Sequence, residues 1–313
     1  PNMEKWEKQG FVDREAWLVA GQAGLLCASI PEQYGGGGGN FKHEMVLVEE
    51  LSYANITGFG NGVHSGIVAH YINSYGSEQQ KRKWLPSMAS GEIVSAIAMT
   101  EPGTGSDLQS VATTALLDGD EYVLNGRKWW TTNAVNPRCK IMLVMGRSNP
   151  ENERHRQHST ILVPRDTPGV KLVRELRVFD NLHSPGGEAE FLFDNVRVPV
   201  SNMIKGEGCG FEIAQGRLGP GRFQYAMGLV GNAQRCLELM CARADERVAF
   251  GEKLIKKTSV QHEIARCRCD IEQARLLTLQ AAHVMDTQGM KAAIPYISMV
   301  KIVAPNMAQQ VAD

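Results

Sequence analysis

The sequence predicts an α+β fold in which a helical N-terminal domain, a middle antiparallel β domain and a C-terminal helical bundle follow one another along 313 residues. Three observations support this prediction. Apolar residues recur at helical spacing over residues 1–91, short strand-like runs replace that pattern over 92–206, and helical spacing returns over 207–313. Strands that succeed one another without intervening helices favour an antiparallel barrel or sandwich over a doubly wound sheet.

The N-terminal domain is predicted from apolar faces and one capping signal. Apolar residues share a helical face over 17–26 and again over 45–51. Ser77 and Gln80 have the spacing of a capping box, which predicts a helix that starts there and runs toward Pro86. The glycines at 35–39 follow no strand and precede no Gly-Lys-Ser/Thr triplet, so a flexible turn between helices is favoured over a phosphate-binding loop.

The middle domain is predicted from β-type runs that are bounded by turn residues. The first run is IVSAIAM, at residues 93–99. The pairs Asp118-Gly119 and Asn125-Gly126 flank EYVL and predict hairpin turns. Further strands are predicted at KIMLVMG, STILVP, GVKLVREL and AEFLFDNVRVP, with a charged surface loop at 148–158.

The C-terminal domain is predicted to contain three long helices, over residues 211–249, 260–286 and 292–313. The third lacks a helix stop signal, and the N-terminal PNMEKWEKQG begins inside a helical pattern. We therefore expect the chain to lack part of both termini.

Composition is that of an ordinary protein with ample material for an apolar core: 43% of the residues are hydrophobic and 21% are charged. A net charge of −1 gives no indication of a nucleic-acid or membrane-surface partner. No apolar run approaches the roughly 20 residues that span a bilayer. The seven cysteines lack metal-ligand spacing, which favours reduced thiols in an intracellular compartment: mitochondrial matrix or peroxisome in a eukaryote, cytoplasm in a bacterium.

Two segments carry the functional signal. Residues 98–107, AMTEPGTGSD, combine a threonine with a glycine-rich turn whose free backbone N–H groups could approach a ligand closely. Residues 129–133, WWTTN, place an indole beside two hydroxyls, so that a flat ring could stack while its heteroatoms receive hydrogen bonds. The plainer alternatives are a surface turn for the first segment and a strand that buries two tryptophans for the second.

These segments resemble the flavin-binding segments of the acyl-CoA dehydrogenase family, and the similarity extends along nearly the whole chain. The first half (PEQYGGGGG, HSGIVAHYINSYGSEQQ) is similar to long-chain members, and the later half (GRKWWTTNAVNPRCK, GFEIAQGRLGPGR) resembles family members ten and eleven. The resemblance implies an acyl-CoA dehydrogenase-like fold and an FAD-dependent enzyme that oxidises acyl-CoA to trans-2-enoyl-CoA. It further implies a homodimer or homotetramer that passes electrons to an electron-transfer flavoprotein.

The resemblance also implies roles for residues of the first segment. Ala98, Met99 and Thr100 line the pyrimidine edge of the flavin, where N–H groups and a hydroxyl stabilise the charge that develops on reduction. Gly105 and Ser106 are the next positions, and Ser106 is shared between FAD and the CoA part of the substrate.

In the second segment, the resemblance places Trp130 beside the flavin, directs the Thr132 hydroxyl to N5 and gives Thr131 a backbone contact. Trp129 is instead expected to pack in the core.

Three residues near the C-terminus complete the implied site. Arg247 and Phe250, in ERVAFG, resemble a segment that reaches the FAD of the neighbouring subunit, which requires an oligomer. A surface ion pair is the alternative for Arg247. Thr258 stands where members commonly have a flavin-contacting glutamine. Arg222 resembles an arginine at the mouth of the substrate site, with a helix-start arginine that bonds to carbonyl groups as the alternative.

The reaction also needs a carboxylate that removes the α-proton. Most family members place it in a loop after the third long helix, so it is expected beyond Asp313, and the position used by a minority is Gly221 here. No catalytic residue is therefore assigned within the chain. Two alternatives stay open: an acyl-CoA oxidase or flavin monooxygenase on the same fold, and a non-catalytic protein that binds flavin and acyl-CoA.

Overall fold

The computed structural model describes residues 2–56, 58–178 and 187–313. The chain divides into two compact units. The first comprises Pro1–Gly38 and Gly58–Arg217, and the second comprises Gly39–Thr57 and Leu218–Asp313. None of the helices in the described ranges is both long enough and apolar enough to cross a lipid bilayer.

The described helices, in chain order, are α1 (Met3–Gln9), α2 (Arg14–Gln22), α3 (Phe41–Tyr53), α4 (Asn61–Val63), α5 (His70–Tyr75), α6 (Glu78–Ala89), α7 (Gly210–Glu246), α8 (Thr258–Gln288) and α9 (Met290–Ala312). A π-helical segment, His64–Ala69, connects α4 to α5. The described strands are β1 (Val94–Ala98), β2 (Thr114–Asp118), β3 (Glu121–Lys128), β4 (Cys139–Arg147), β5 (His158–Pro164), β6 (Val170–Leu176), β7 (Glu188–Pro199), β8 (Val248–Ala249) and β9 (Glu252–Lys253).

The capping box predicted at the start of α6 is confirmed. The Ser77 hydroxyl accepts a hydrogen bond from the Gln80 N–H at 3.2 Å, and the Gln80 side-chain oxygen accepts one from the Ser77 N–H at 2.9 Å. The helix continues through Pro86 to Ala89. Burial of Met88 and Ala89 in the core explains why the helix does not end at the proline.

Seven described strands form one sheet in the order β1-β4-β2-β3-β7-β6, with β5 paired to β4. Pairing is antiparallel for β2–β3, β3–β7, β6–β7 and β4–β5. By contrast, β1 pairs with β4 in parallel, and β2 meets β4 through one parallel pair. The predicted antiparallel domain is thus a mixed sheet, because the long connection from β1 to β4 provides the crossover that parallel strands need.

One of the two predicted hairpin turns is wrong. The β2–β3 hairpin closes at Gly119, as predicted. Asn125 and Gly126 instead lie inside β3, where the pairing with β7 shifts register between Leu124 and Gly126. A Cβ at Gly126 would lie 2.3 Å from the Thr113 hydroxyl. The Asn-Gly pair therefore marks a bulge at a close approach and not a turn.

Strand β4 is buried on both faces, which explains its continuous apolar run. Leu143 belongs to the same buried cluster as Met88 of α6. The next residue, Val144, belongs to a second cluster with Phe191 and Phe193 of β7. The first unit thus has a helix-facing core and a sheet core on opposite sides of one strand.

The second unit has its own core, formed by α3, α8, α9 and the part of α7 from Leu218 onward. Phe223, Ile271 and Ile297 are among its buried side chains. The three predicted C-terminal helices are confirmed, although their boundaries shift. The first, α7, ends at Glu246, and β8 and β9 form a short hairpin after it.

Candidate functional site

The two predicted flavin segments lie side by side in the first unit. The Trp129 N–H donates to the Thr100 carbonyl at 3.0 Å. The Lys128 ammonium donates to the Met99 carbonyl at 2.8 Å. Ala98 and Met99 are buried, and Thr100 is half-buried. The fold therefore brings together residues that are distant in the sequence.

A buried ion pair fixes this arrangement, and sequence reasoning missed it. Lys128 and Glu101 are 0% and 6% exposed, with 2.9 Å between the ammonium and a carboxylate oxygen. The Glu101 carboxylate also accepts the N–H groups of Ala112 and Thr113, at 2.8 and 2.9 Å. Burial alone would raise the pKa of Glu101, but the Lys128 charge and these hydrogen bonds lower it overall. Burial lowers the pKa of Lys128, against the opposing effect of Glu101.

The turn after Glu101 presents Gly105 and Ser106 at the surface. Glu101 and Thr104 exchange two backbone hydrogen bonds, of 2.8 and 3.0 Å, which close the turn. A Cβ built on Gly103 or Gly105 meets no atom within 4 Å, and neither glycine has a positive φ. Nothing in the described part of the chain therefore requires a glycine at either position.

Trp130 has an unusual backbone for a large residue. Its φ is 52°, and its side chain is 38% exposed. A bulky residue with a positive φ is a genuine outlier, and this conformation costs on the order of 1–3 kcal/mol. Such strained residues are typical of functional sites. Trp129 is half-buried, with its ring centroid 6.0 Å from that of Trp130. The two tryptophans therefore have different environments, and only Trp130 presents an exposed indole.

Thr131 and Thr132 also differ. Thr131 is buried, and its N–H donates to the Ala189 carbonyl at 3.0 Å. Its hydroxyl has no hydrogen-bond partner among the described residues. The Thr132 hydroxyl lies 2.9 Å from each carboxylate oxygen of Glu188. Burial raises the pKa of Glu188 to about 7, although the Thr132 hydrogen bond lowers it in part.

Asn133 anchors the WWTTN segment to the rest of the first unit. Its φ is 69°, and it is 2% exposed. Its side-chain amide donates to the carbonyls of Gly60 and Ser95, at 2.9 and 3.2 Å. The Ser95 N–H in turn donates to Nδ1 of buried His64 at 3.1 Å. The segment is thus held by a buried hydrogen-bond network, as a precise binding site requires.

Arg222, Arg247 and Phe250 belong to the second unit. Arg222 is exposed inside α7, so the helix-start alternative does not apply. Neither arginine forms an ion pair within the described ranges. The alternative that Arg247 makes a surface ion pair therefore has no partner residue there. Phe250 is 100% exposed, with φ 56°, and Gly251 follows with φ 84°. Two consecutive positive φ angles at the β8–β9 hairpin fit a type I′ turn, which favours asparagine or glycine over phenylalanine.

The described residues contain no group of three or more histidine, cysteine, aspartate or glutamate side chains that could hold a metal ion. All seven cysteines are free thiols.

Comparison with known proteins gives one consistent result. Models of the N-terminal, middle and C-terminal domains of acyl-CoA dehydrogenases match residues 1–92, 96–196 and 208–313. The mouse protein "Acyl-CoA dehydrogenase family member 11" is 51% identical over 247 residues, which cover 77% of this chain and 32% of the mouse protein. The chain therefore aligns with about a third of that relative's length.

Solved structures agree with this comparison. The crystal structure of an acyl-CoA dehydrogenase from Geobacillus kaustophilus is 34% identical, with a TM-score of 0.92, over 99% of this chain and 80% of that one. A glutaryl-CoA dehydrogenase from Mycobacterium smegmatis, solved in complex with FADH2, is 27% identical, with a TM-score of 0.87 and coverage of 99% and 77%.

Proposed function

This chain belongs to the acyl-CoA dehydrogenase family, and we propose that it forms the FAD-binding part of an enzyme that oxidises an acyl-CoA thioester to trans-2-enoyl-CoA. The observation that carries the proposal is the direct joining of the two flavin segments. The Trp129 N–H bonds to the Thr100 carbonyl and the Lys128 ammonium bonds to the Met99 carbonyl, so the segment with the predicted pyrimidine-edge residues lies beside the segment that leads to the predicted N5 residue.

The two segments offer what a flat, polar-edged ring needs. Trp130 supplies an exposed indole on a strained backbone. Thr131 would contribute through its backbone, because its hydroxyl is fully buried. A Cβ at Gly105 would meet no atom of the described chain, so the space beside this glycine is open to a ligand. Ala98, Met99 and Thr100 would border the pyrimidine edge of the ring, and Thr132 would face N5.

Bound FAD would supply the acceptor for the hydride that leaves the β-carbon of the substrate. The protein residues bind and orient. Ser106 would contact both FAD and CoA, and Arg222 would lie at the mouth of the substrate site. Trp130 would fix the ring plane, so that the reacting atoms meet in a defined geometry.

An oligomer follows from the same proposal. Phe250 is fully exposed on a strained turn, and Arg247 has no ion-pair partner in the described part of its own chain. Both features support a contact with the FAD of a neighbouring subunit in a homodimer or homotetramer. We further propose an electron-transfer flavoprotein as the electron acceptor. The free thiols suit a reducing compartment such as the mitochondrial matrix, the peroxisome or the bacterial cytoplasm.

The test is anaerobic addition of acyl-CoA thioesters of varied chain length to the full-length, FAD-loaded protein. We expect at least one thioester to bleach the visible flavin absorbance. Ser106→Ala should weaken the binding of both FAD and acyl-CoA, whereas Ser110→Ala, at an exposed position in the 3-10 helix that follows, should not.

Bleaching followed by peroxide release under air, without an added acceptor, would indicate an oxidase. Tight acyl-CoA binding with no bleaching at any chain length would indicate a non-catalytic binding protein and overturn the proposal.

A further inference from the structure

We propose that Glu188 is a positioning residue that controls the direction of the Thr132 hydrogen bond toward the flavin and thereby couples its own protonation to the flavin redox state. This inference rests on the proposed FAD site. It gives a function to a carboxylate that no motif of the sequence indicated.

The geometry is specific. The Thr132 hydroxyl lies 2.9 Å from both oxygens of Glu188, so the carboxylate faces that hydroxyl symmetrically. Both residues are on anchored backbone. Glu188 begins β7 and pairs with Leu176 of β6, while the adjacent Ala189 carbonyl receives the Thr131 N–H at 3.0 Å. The two side chains are therefore held together by the sheet.

Glu188 forms no ion pair with a described residue, and the effects on its pKa are burial and the Thr132 hydrogen bond. The nearest carboxylate on its own strand, Glu190, is paired with Arg127 of β3 and Arg174 of β6. Residues 179–186, which precede β7, lie outside the described residues. Other charged residues on the segments that pack beside Glu188 are Lys128 of β3, Glu175 of β6, and Arg177 and Arg138 in the adjoining loops.

A threonine hydroxyl has a single proton to donate. An ionised Glu188 accepts a hydrogen bond from that proton, so the Thr132 oxygen can only accept a hydrogen bond from the ring. A protonated Glu188 donates to Thr132 instead, and the hydroxyl proton is then free for the ring.

The flavin N5 atom accepts a hydrogen bond when the ring is oxidised and donates one when it is reduced. The oxidised ring therefore favours a donating Thr132 hydroxyl and a protonated Glu188, and the reduced ring favours an accepting Thr132 oxygen and an ionised Glu188. Because linkage is reciprocal, the proton affinity of Glu188 should be higher when the ring is oxidised than when it is reduced. Burial raises the pKa of Glu188 to about 7, so both protonation states are populated near neutral pH.

The test is the midpoint potential of FAD bound to the full-length protein, measured with chemical reductants from two pH units below to two above 7. For the wild type we expect a change of slope near the Glu188 pKa of about 7. At the limit of one coupled proton, the ratio of reduced to oxidised flavin would change by about tenfold per pH unit across the bend.

The Glu188→Gln side chain cannot titrate, so the change of slope should be smaller than in the wild type by the contribution of Glu188. Thr132→Val keeps the carboxylate but removes the hydroxyl that links it to the ring, so the change of slope in the potential should be smaller than in the wild type. Glu175→Gln is the matched control: it removes an exposed carboxylate from the neighbouring strand and should keep the bend.

A bend that persists unchanged in Glu188→Gln or in Thr132→Val would overturn the inference. A second result would also overturn it: a Glu188→Gln variant whose flavin has the wild-type potential at every pH but is no longer reduced by acyl-CoA. Glu188 would then act as a base and not as a positioning residue. Failure of the proposed function gives a different result, since acyl-CoA would then fail to reduce the wild type whatever its potential profile. Thr132→Val keeps the test decisive if Glu188→Gln does not fold.

Discussion

Replacing Lys128 by methionine should destabilise the first unit and weaken FAD binding together. The substitution preserves side-chain length and removes the charge. It breaks the 2.9 Å contact with Glu101 and the 2.8 Å hydrogen bond to the Met99 carbonyl, both in a site that is almost fully buried.

The magnitude follows from what remains around Glu101. Removing one partner of a buried ion pair typically costs about 3–5 kcal/mol, because an uncompensated charge stays behind. Glu101 would keep its hydrogen bonds from Ala112 and Thr113, at 2.8 and 2.9 Å. We therefore expect about 3 kcal/mol, the lower end of that range. Neutralising the carboxylate as well, in Lys128→Met/Glu101→Gln, should recover about 1–2 kcal/mol of the loss, a coupling typical of residues in contact.

The assay is urea unfolding of wild type, both single variants and the double variant, with FAD titration of the same proteins. Lys140→Met, at an exposed position on β4, is the matched control and should change stability by less than about 0.5 kcal/mol. FAD affinity should fall by about tenfold in Lys128→Met, because the segment that contains Met99 and Thr100 loses the hydrogen bond that holds its backbone in place. A Lys128→Met protein as stable as Lys140→Met, or strictly additive single effects, would refute the reasoning.

Three further predictions concern other parts of the chain. Burial lowers the pKa of His64 from 6.5 to about 4, so the unfolded state binds the proton more readily. The contribution of His64 to the free energy of unfolding should therefore be fully present above pH 6.5 and fall by up to about 3 kcal/mol toward pH 4. Urea unfolding at several pH values should show this loss in the control variant His262→Gln but not in His64→Gln. Gly105→Ala should weaken FAD or acyl-CoA binding without changing the melting temperature, whereas Gly103→Ala should change neither; equal binding by both variants would count against a ligand at Gly105. Phe250→Asn suits a positive φ and should preserve monomer stability, yet lower FAD affinity and oligomer content in size-exclusion chromatography; unchanged FAD binding would remove Phe250 from the site.

Features set by neighbouring residues could be predicted from the sequence. The capping box at Ser77 depends on residues three apart, and the turn at Gly119 depends on a dipeptide between two strands. The three C-terminal helices are long enough for their periodicity to be clear. The bulge at Gly126 could not be predicted, because the same Asn-Gly pair also favours a turn. Only the approach of Thr113 and the register with β7 decide between the two.

The candidate site likewise has parts that could be predicted from the sequence and parts that could not. The segments that contain Thr100 and Thr132 were predicted from their own residues together with their resemblance to a known family. The side chains that hold them were not, because their partners meet only after the sheet has formed. Lys128 bonds to Glu101 from 27 residues away, and Thr132 bonds to Glu188 from 56 residues away. A lysine at a strand end or a glutamate at a strand start gives no local signal of such a contact, since both are ordinary surface residues elsewhere.

The central claim is that a flavin binds between the segments of Thr100 and Thr132 with Trp130 beside it. The most direct measurement is titration of the apoprotein with FAD, followed by visible absorbance and flavin fluorescence. We expect one FAD per chain with quenched fluorescence, weaker binding and less quenching in Trp130→Ala, and no change in Trp84→Ala on α6. A wild type that binds no FAD, or a Trp130→Ala variant indistinguishable from it, would contradict the account.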